Sequence, residues 1–156
     1  MFKIPKELSN EPRSLRSYLS SGANHTLTDR FKLAKQLAKS VSYVHTLGFV
    51  HKNVRPETIL AFQDNMSVLD SIFLTGFEKV RVADGRTRLS GDSAWEKNLY
   101  RHPHRQGVNP EEAYVMQHDI YSLGVCLLEI GMWESFVSYE NDATAPVPAT
   151  VLGIAV

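Results

Sequence analysis

The sequence predicts an α+β domain that is mainly helical and carries a few short strands. Apolar residues recur at helical spacing from Leu27 to Leu47, and a second, more uniformly apolar helix is expected from Asp119 to Ile130. The apolar runs between these two helices are short and are bounded by turn residues. The 156 residues fit one domain, and 43% hydrophobic with 22% charged residues is typical of a globular chain.

The helices can be placed in order along the chain. A short helix is expected from Ser14 to Leu19, before a glycine-containing turn. The long helix follows, with Thr26 or Thr28 able to cap its start and Gly48 in the place where a left-handed residue ends a helix. The helix from Asp119 to Ile130 is apolar on nearly all sides, so we expect it in the middle of the core.

The remaining segments predict short strands, a long loop and two weakly ordered ends. Strands are expected at residues 49–50, 59–62, 67–69 and 72–74. Residues 79–99 show neither helical nor strand periodicity and predict a long loop, a feature that is usually functional or mobile. The predicted organisation is a lead-in at 1–13, a domain at 14–135 and a poorly anchored tail at 136–156.

Composition excludes several classes of protein. Seventeen basic and seventeen acidic residues cancel, so no basic excess attracts nucleic acid or an anionic membrane. Cys126 is the single cysteine and cannot form an internal disulfide, which favours a reducing, intracellular and specifically cytoplasmic setting. The longest hydrophobic stretch is interrupted by Ser122 and Glu129, so no membrane span is expected.

Four stretches carry recognisable motifs. Residues 51–60 read H-K-N-V-R-P-E-T-I-L, 76–78 read G-F-E, 100–104 read Y-R-H-P-H and 119–124 read D-I-Y-S-L-G. In this order they resemble four segments of the eukaryotic protein kinase family: the catalytic loop H-R-D-L-K-P-E-N-I-L, the D-F-G segment, the Y-R-A-P-E end of the activation segment and the D-x-[WY]-S-x-G start of a central buried helix. Five of the ten letters in the first stretch are retained.

The resemblance implies the fold of the kinase C-terminal lobe over about residues 14–133. The N-lobe is absent from the sequence, which contains no G-x-G-x-x-G loop and no V-A-I-K strand. The motif combination is also similar to the kinase-like domains that accompany HeLo-type domains in filamentous fungi. We therefore expect a partial kinase-like domain.

The residues that would carry kinase chemistry are substituted. In the family, Mg²⁺ is held by the D-F-G aspartate and a loop asparagine, and a loop aspartate accepts the substrate proton. The resemblance assigns these roles to Gly76, Thr58 and Asn53. A glycine has no ligand atom, threonine offers one neutral hydroxyl, and an asparagine amide takes up no proton at neutral pH. Arg55 stands where the family's lysine contacts the transferred phosphate and keeps its positive charge.

Two supporting residues are retained. His51 and Asp119 occupy positions that, in the family, hold the catalytic loop in place without taking part in the chemistry. Loss of the reacting groups with retention of the support is the pattern of a pseudokinase. We predict no bound cofactor, although the family uses ATP and magnesium, and no metal site.

The predicted function is a catalytically impaired kinase-like domain that acts as a regulatory or interaction module with a protein partner, in an unspecified oligomeric state. The enzyme alternative is an active serine/threonine-type kinase with displaced catalytic groups, for which Asp70 and Glu78 are the nearest spare carboxylates. A nonfunctional fragment is a third interpretation.

Two surface patterns leave alternatives open. His102 and His104 could face one metal ion, but no carboxylate or cysteine completes a set at ligand spacing, which favours a structural role. Lys32, Lys35 and Lys39 form a basic stripe, typical of the solvated face of an amphipathic helix and less often of a docking site.

Overall fold

The computed structural model describes residues 12–63, 69–85, 89, 91–139 and 145–153. Its α-helices are α1 (Leu15–Leu19), α2 (Leu27–Thr46), α3 (Trp95–Asn98) and α4 (Met116–Met132). Its strands are β1 (Arg13–Ser14), β2 (Phe49–Val50), β3 (Ile59–Gln63), β4 (Leu69–Leu74), β5 (Arg81–Val82), β6 (Val137–Tyr139) and β7 (Pro146–Pro148). Short 3₁₀ turns lie at Pro56–Thr58, Phe77–Lys79, Pro103–Arg105 and Thr150–Leu152. This mixture of helices and small sheets is compatible with the predicted α+β class.

The long helix α2 begins and ends close to where the sequence predicts. Thr26 Oγ1 accepts a hydrogen bond from the Asp29 amide (3.2 Å), and the Asp29 carboxylate accepts one from the Thr26 amide (3.3 Å). These two bonds form a capping box. Gly48 follows the C-terminus with φ of 78°, in the left-handed region. The predicted cap at Thr26 is confirmed, and Thr28 lies inside the helix.

Helix α4 packs against α2 with one of its faces. Leu123, Cys126 and Ile130 on that face belong to the hydrophobic core. On the opposite face Ile120 is 52% and Leu128 59% exposed, so the prediction that the helix is buried on nearly all sides is wrong for this face. The neighbouring elements cover one side of the cylinder only, and the described residues leave the other side open to solvent.

A three-stranded antiparallel sheet and a two-stranded ribbon position the middle of the chain. Strand β3 pairs with β1 on one side and β4 on the other, with Ile59 opposite Leu74. Strand β2 pairs with β5. The predicted strands at 49–50, 59–62 and 72–74 are confirmed, and the one predicted at 67–69 lies outside the described residues except at its last position.

The predicted loop at 79–99 is partly structured. It contributes β5 and α3, and its Gly91 and Asp92 amides donate to the carbonyls of Val108 (2.9 Å) and Gly107 (3.1 Å). A Cβ atom at Gly91 would lie 1.8 Å from the Gly107 carbonyl oxygen, so this close backbone contact requires glycine. Pairing with a segment far along the chain explains why local periodicity does not predict this order.

The tail also differs from its prediction where it is described. Strands β6 and β7 form an antiparallel hairpin, and Val137 is fully buried. The Ala149 amide donates to the Phe136 carbonyl (3.0 Å), and the Trp95 indole donates to the Pro146 carbonyl (3.2 Å). These contacts anchor the described part of the segment that is predicted to be poorly anchored.

Within the ranges given above, no helix is both long and apolar enough to cross a membrane.

Candidate functional site

Asp119 is the centre of the predicted loop support. Its carboxylate is fully buried in the first turn of α4 and accepts hydrogen bonds from the backbone amides of His51 (2.7 Å) and Lys52 (2.9 Å). It also accepts one from the Tyr114 hydroxyl (2.7 Å), and His45 Nε2 lies 3.0 Å from it. Both carboxylate oxygens therefore have two partners, which satisfies a buried charge that would otherwise be costly.

This arrangement stabilises an unusual backbone conformation. Lys52 has φ of 67°, a left-handed value that residues other than glycine rarely adopt. Because two consecutive amides donate to the same carboxylate, the turn that follows β2 is held in this conformation by charge-assisted hydrogen bonds.

His51 lies under the loop with its side chain fully buried. Its Nδ1 accepts a hydrogen bond from the Asn53 amide (3.3 Å), and its ring meets Phe77 edge to face at 4.7 Å between centroids. Burial lowers the pKa of His51 below its ordinary value, against an opposing effect from the Asp119 charge, so the neutral imidazole is favoured. His51 thus connects the loop to the Gly76–Glu78 segment.

The three positions assigned to catalysis and metal binding lie together. Gly76 has φ of 80°, and a Cβ atom built on it would lie 2.7 Å from Thr58 Cγ2 and 3.1 Å from Asn53 Nδ2. The Thr58 hydroxyl is used inside its own loop, within 2.6 Å of the Asn53 carbonyl and accepting from the Arg55 amide (3.2 Å). The volume beside Gly76 is therefore filled by a methyl group and an amide.

A chain of hydrogen bonds crosses the front of this group. Asn53 Nδ2 donates to Glu78 Oε1 (3.0 Å), and Asn53 Oδ1 accepts from Arg55 Nε (3.2 Å). Arg55 also lies 3.9 Å from Glu57. Glu78, one of the two spare carboxylates named above, therefore contacts the catalytic-base position, whereas the side chain of Asp70 lies outside the described part of the chain.

A small, positively lined cleft opens beside the loop. Its volume is about 300 Å³ including space open to solvent, and its lining includes Lys52, Arg55, Lys97 and Arg101. Lys97 is paired with Asp92 at 2.8 Å. The Lys52 ammonium lies over the Tyr114 ring, and its pKa is lowered by burial and then by nearby arginines.

The structure also shows a buried polar network that the motifs do not indicate. Arg16 on α1 donates to Glu129 (2.7 Å) and Glu57 (3.1 Å), and it contacts the Tyr100 hydroxyl, which donates to Glu129 (2.9 Å). Burial disfavours the Arg16 charge, but Glu129, Tyr100 and Glu57 raise its pKa above the ordinary value. The one sequence signal is Glu129 itself, a charged residue inside an apolar helical stretch.

The site does not fit a magnesium ion. Hard cations require oxygen ligands, and the groups beside Gly76 are a methyl group and an amide nitrogen. Among the residues that the structure describes, no group of three or more histidine, cysteine, aspartate and glutamate side chains is placed to hold a metal ion. The groups beside Gly76 therefore offer magnesium no oxygen ligand.

Comparison with known proteins gives relatives that are kinases by name. The chain is 26% identical over 136 residues to a probable serine/threonine-protein kinase of Dictyostelium discoideum, covering 83% of this chain and 7% of the relative. It is 29% identical over 119 residues to a probable cell division protein kinase of Encephalitozoon cuniculi, covering 76% and 35%. It is 30% identical over 108 residues to the eukaryotic translation initiation factor 2-alpha kinase 1 of Mus musculus, covering 64% and 16%.

These alignments leave most of each relative outside the comparison, since the chain spans between 7% and 35% of their lengths. No protein-family model matches the chain. The alignments nevertheless extend over most of its residues and agree in the named class. They support a kinase-like relationship.

Proposed function

We propose that residues 14–135 form the C-terminal lobe of a protein-kinase-like domain that is catalytically impaired and acts as a regulatory or interaction module. The kinase-named relatives support the first part of this proposal. The loop at 51–60, tied to Asp119 and packed through His51 on Phe77, supports it further, because these are the contacts expected of a retained scaffold.

One observation carries the proposed impairment: Gly76 packs against Thr58 and Asn53 with no carboxylate at any of the three positions. Phosphoryl transfer in kinases depends on oxygen ligands for magnesium and on a base for the substrate hydroxyl. The Asn53 amide donates to Glu78 and takes up no proton at neutral pH, so it supplies neither function. Arg55 retains positive charge, which by itself replaces neither group.

The proposal also covers the role, the partner and the cellular location of the domain. The likeness to kinase-like domains that accompany HeLo-type domains in filamentous fungi makes a signalling role with a protein partner our favoured interpretation. The single, buried Cys126 supports an intracellular and cytoplasmic location. The relatives extend well beyond the matched region, so any activity of a longer protein belongs to the same proposal.

A phosphoryl-transfer assay tests the impairment. The longest form that the gene encodes is incubated with magnesium and radiolabelled ATP, and incorporation into itself and into a generic protein substrate is measured. We expect no incorporation above the level of a heat-inactivated sample. Incorporation by the unmodified protein above the level of the heat-inactivated sample would contradict the proposal, whichever residue is responsible.

The contact between Asn53 and Glu78 favours one second candidate, an active kinase that uses a displaced carboxylate. Glu78 Oε1 is 3.0 Å from Asn53 Nδ2, at the base position, and the Glu78 side chain is exposed, so its carboxylate could accept a substrate proton. In the same assay, activity that is lost in Glu78→Gln and kept in the neighbouring control Lys79→Gln would support this candidate. Equal incorporation in both variants would exclude Glu78 as the base.

A further inference from the structure

Three imidazoles and one carboxylate meet where the 3₁₀ turn at Pro103–Arg105 packs against α4. The centroid of the His102 ring lies 5.0 Å from the centroid of the His104 ring and 5.0 Å from that of the His118 ring. Glu112, on the loop that follows the turn, contacts His104 Nδ1 at 2.8 Å and lies 3.6 Å from His118 Nε2. We name His102, His104 and His118 the imidazole cluster.

Hydrogen bonds orient two of the rings in their neutral form. His118 Nδ1 accepts from the Val115 amide (3.1 Å), so its proton lies on Nε2, the nitrogen that faces Glu112. His102 Nδ1 accepts from the His104 amide (3.3 Å). Either acceptor bond is lost if the nitrogen that makes it gains a proton, because a doubly protonated ring has no acceptor.

The charges around the cluster do not balance three added protons. His118 is almost fully buried and faces His102, Glu112 and Arg105, while the Tyr114 ring lies 5.1 Å from it. His102 faces Tyr121 on α4 in addition to the two other imidazoles. Of the charged groups that face His118, Glu112 is negative and Arg105 is positive.

We propose that the imidazole cluster is an acid-sensitive latch that holds residues 102–112 against the first turn of α4 while its rings are neutral and releases them when the rings gain protons. Glu112 balances one imidazolium. A proton on the almost fully buried His118 would face the His102 ring and Arg105, and at Nδ1 it would break the bond from the Val115 amide, which favours separation of the two elements.

Release would be transmitted to the catalytic loop through two residues. Tyr114 follows the segment and meets the His118 ring edge to face. Its hydroxyl donates to Asp119, which accepts the hydrogen bonds of the His51 and Lys52 amides. Movement of residues 102–112 would therefore weaken the hydrogen bond from the Tyr114 hydroxyl, one of the four contacts of the Asp119 carboxylate. The latch would couple acidification to the order of the loop at 51–55.

Hydrogen exchange on the full chain at pH 7.5 and pH 5.5, corrected for the intrinsic rate at each pH, tests the latch. In the unmodified protein we expect protection in residues 102–115 to fall about tenfold or more at pH 5.5, while the centre of α2 stays protected. In His118→Asn, which keeps an acceptor for the Val115 amide and cannot gain a proton, the loss should be less than about threefold. Unchanged protection in the unmodified protein, or an equal loss throughout the chain, overturns the proposal.

Two further variants separate the latch from a general effect of losing a histidine. His25→Asn removes an imidazole that packs on Trp133 at the other end of α4, and the pH-dependent loss in residues 102–115 should persist in it. Glu112→Gln removes the balancing charge, so protection at pH 5.5 should fall further than in the unmodified protein. If the loss disappears in His25→Asn, or if Glu112→Gln restores protection, the latch is wrong. Nuclear magnetic resonance titration of the unmodified protein tests the latch without a substitution. His118 should gain its proton over the same pH range in which residues 102–115 lose protection, and a proton gained without that loss would contradict the latch.

Discussion

The two buried carboxylates of α4, Asp119 in its first turn and Glu129 near its end, are stabilised in different ways. Both are fully buried. Asp119 has two partners on each oxygen, among them two backbone amides and a hydroxyl. Glu129 receives its contacts on Oε1, from Arg16, Tyr100 and the Phe136 amide, and its Oε2 is buried without a hydrogen-bond partner.

One carboxylate therefore organises a loop, whereas the other depends on a single cation. The donors to Asp119 are mostly neutral and come from the backbone, so the carboxylate fixes the path of the chain at residues 51–52. Glu129 is held by an ion pair, and burial raises its pKa while Arg16 lowers it. Removing a donor should therefore cost much more at Glu129 than at Asp119.

The largest effect is expected for Arg16→Ala, which leaves Glu129 as an unpaired buried charge. We expect it to lower the free energy of unfolding by about 4 kcal/mol, measured by urea denaturation at pH 7. The control is Arg13→Ala, whose guanidinium bonds to Ser17 at an exposed position and should change stability by about 0.5 kcal/mol or less.

The double variant Arg16→Met with Glu129→Leu sharpens this test. Replacing both charges with apolar groups removes the unpaired carboxylate, so the double variant should be more stable than Arg16→Ala by about 2 kcal/mol or more. If the double variant loses as much stability as the sum of its two single changes, Arg16 and Glu129 are not energetically coupled.

The next largest loss of stability is expected for Asp119→Ala. The two loop amides and the Tyr114 hydroxyl lose a charged acceptor, and we expect a loss of about 3 kcal/mol. Amide exchange at His51 and Lys52 should rise with it. The exposed Asp84→Ala is the control and should leave both quantities unchanged; parallel behaviour of the two variants would argue against Asp119 as the loop anchor.

A smaller effect is expected where the loop contacts Gly76. In Gly76→Ala the added methyl group meets Thr58 Cγ2 at 2.7 Å, in a left-handed conformation that disfavours alanine, so we expect a loss of about 2 kcal/mol. The same change in a Thr58→Ser background should cost less, because serine lacks the contacting methyl group. Equal costs in both backgrounds would show that backbone strain alone is responsible.

The smallest effect concerns pH. Burial lowers the pKa of His51 in the folded protein below the value of about 6.5 expected in the unfolded chain. The unfolded chain therefore binds more protons between these two values, and the stability contributed by His51 decreases as pH falls through about 6.5 towards the folded pKa. Urea denaturation from pH 7.5 to pH 5 should show a gradual loss that is shallower in His51→Gln. A slope that is identical in the variant would assign the loss to other groups.

Much of the chain could be predicted where local sequence pattern decides the outcome. The α2 helix with its Thr26 cap and the strands at 49–50 and 59–62 follow from periodicity and capping chemistry. The kinase-like relationship comes from the resemblance of the motifs to those of the family and is supported by the kinase-named relatives. The proximity of Asn53, Thr58 and Gly76 was inferable from the resemblance, because aligned motifs carry the geometry of their family. In such cases the information lies within a few residues of each position or in their order.

The remaining features depend on contacts between distant parts of the chain. Arg16 and Glu129 are 113 positions apart, and no local pattern pairs them. The filled space beside Gly76, the imidazole cluster and the exposed face of α4 likewise arise only when separate elements pack together. Local propensity, periodicity and capping predicted α2 and the strands at 49–50, 59–62 and 72–74. They did not predict the order within residues 79–99, which depends on pairing with a distant segment, or strands β6 and β7. Tertiary packing decided which charges are paired, because burial and distance are properties of the folded chain.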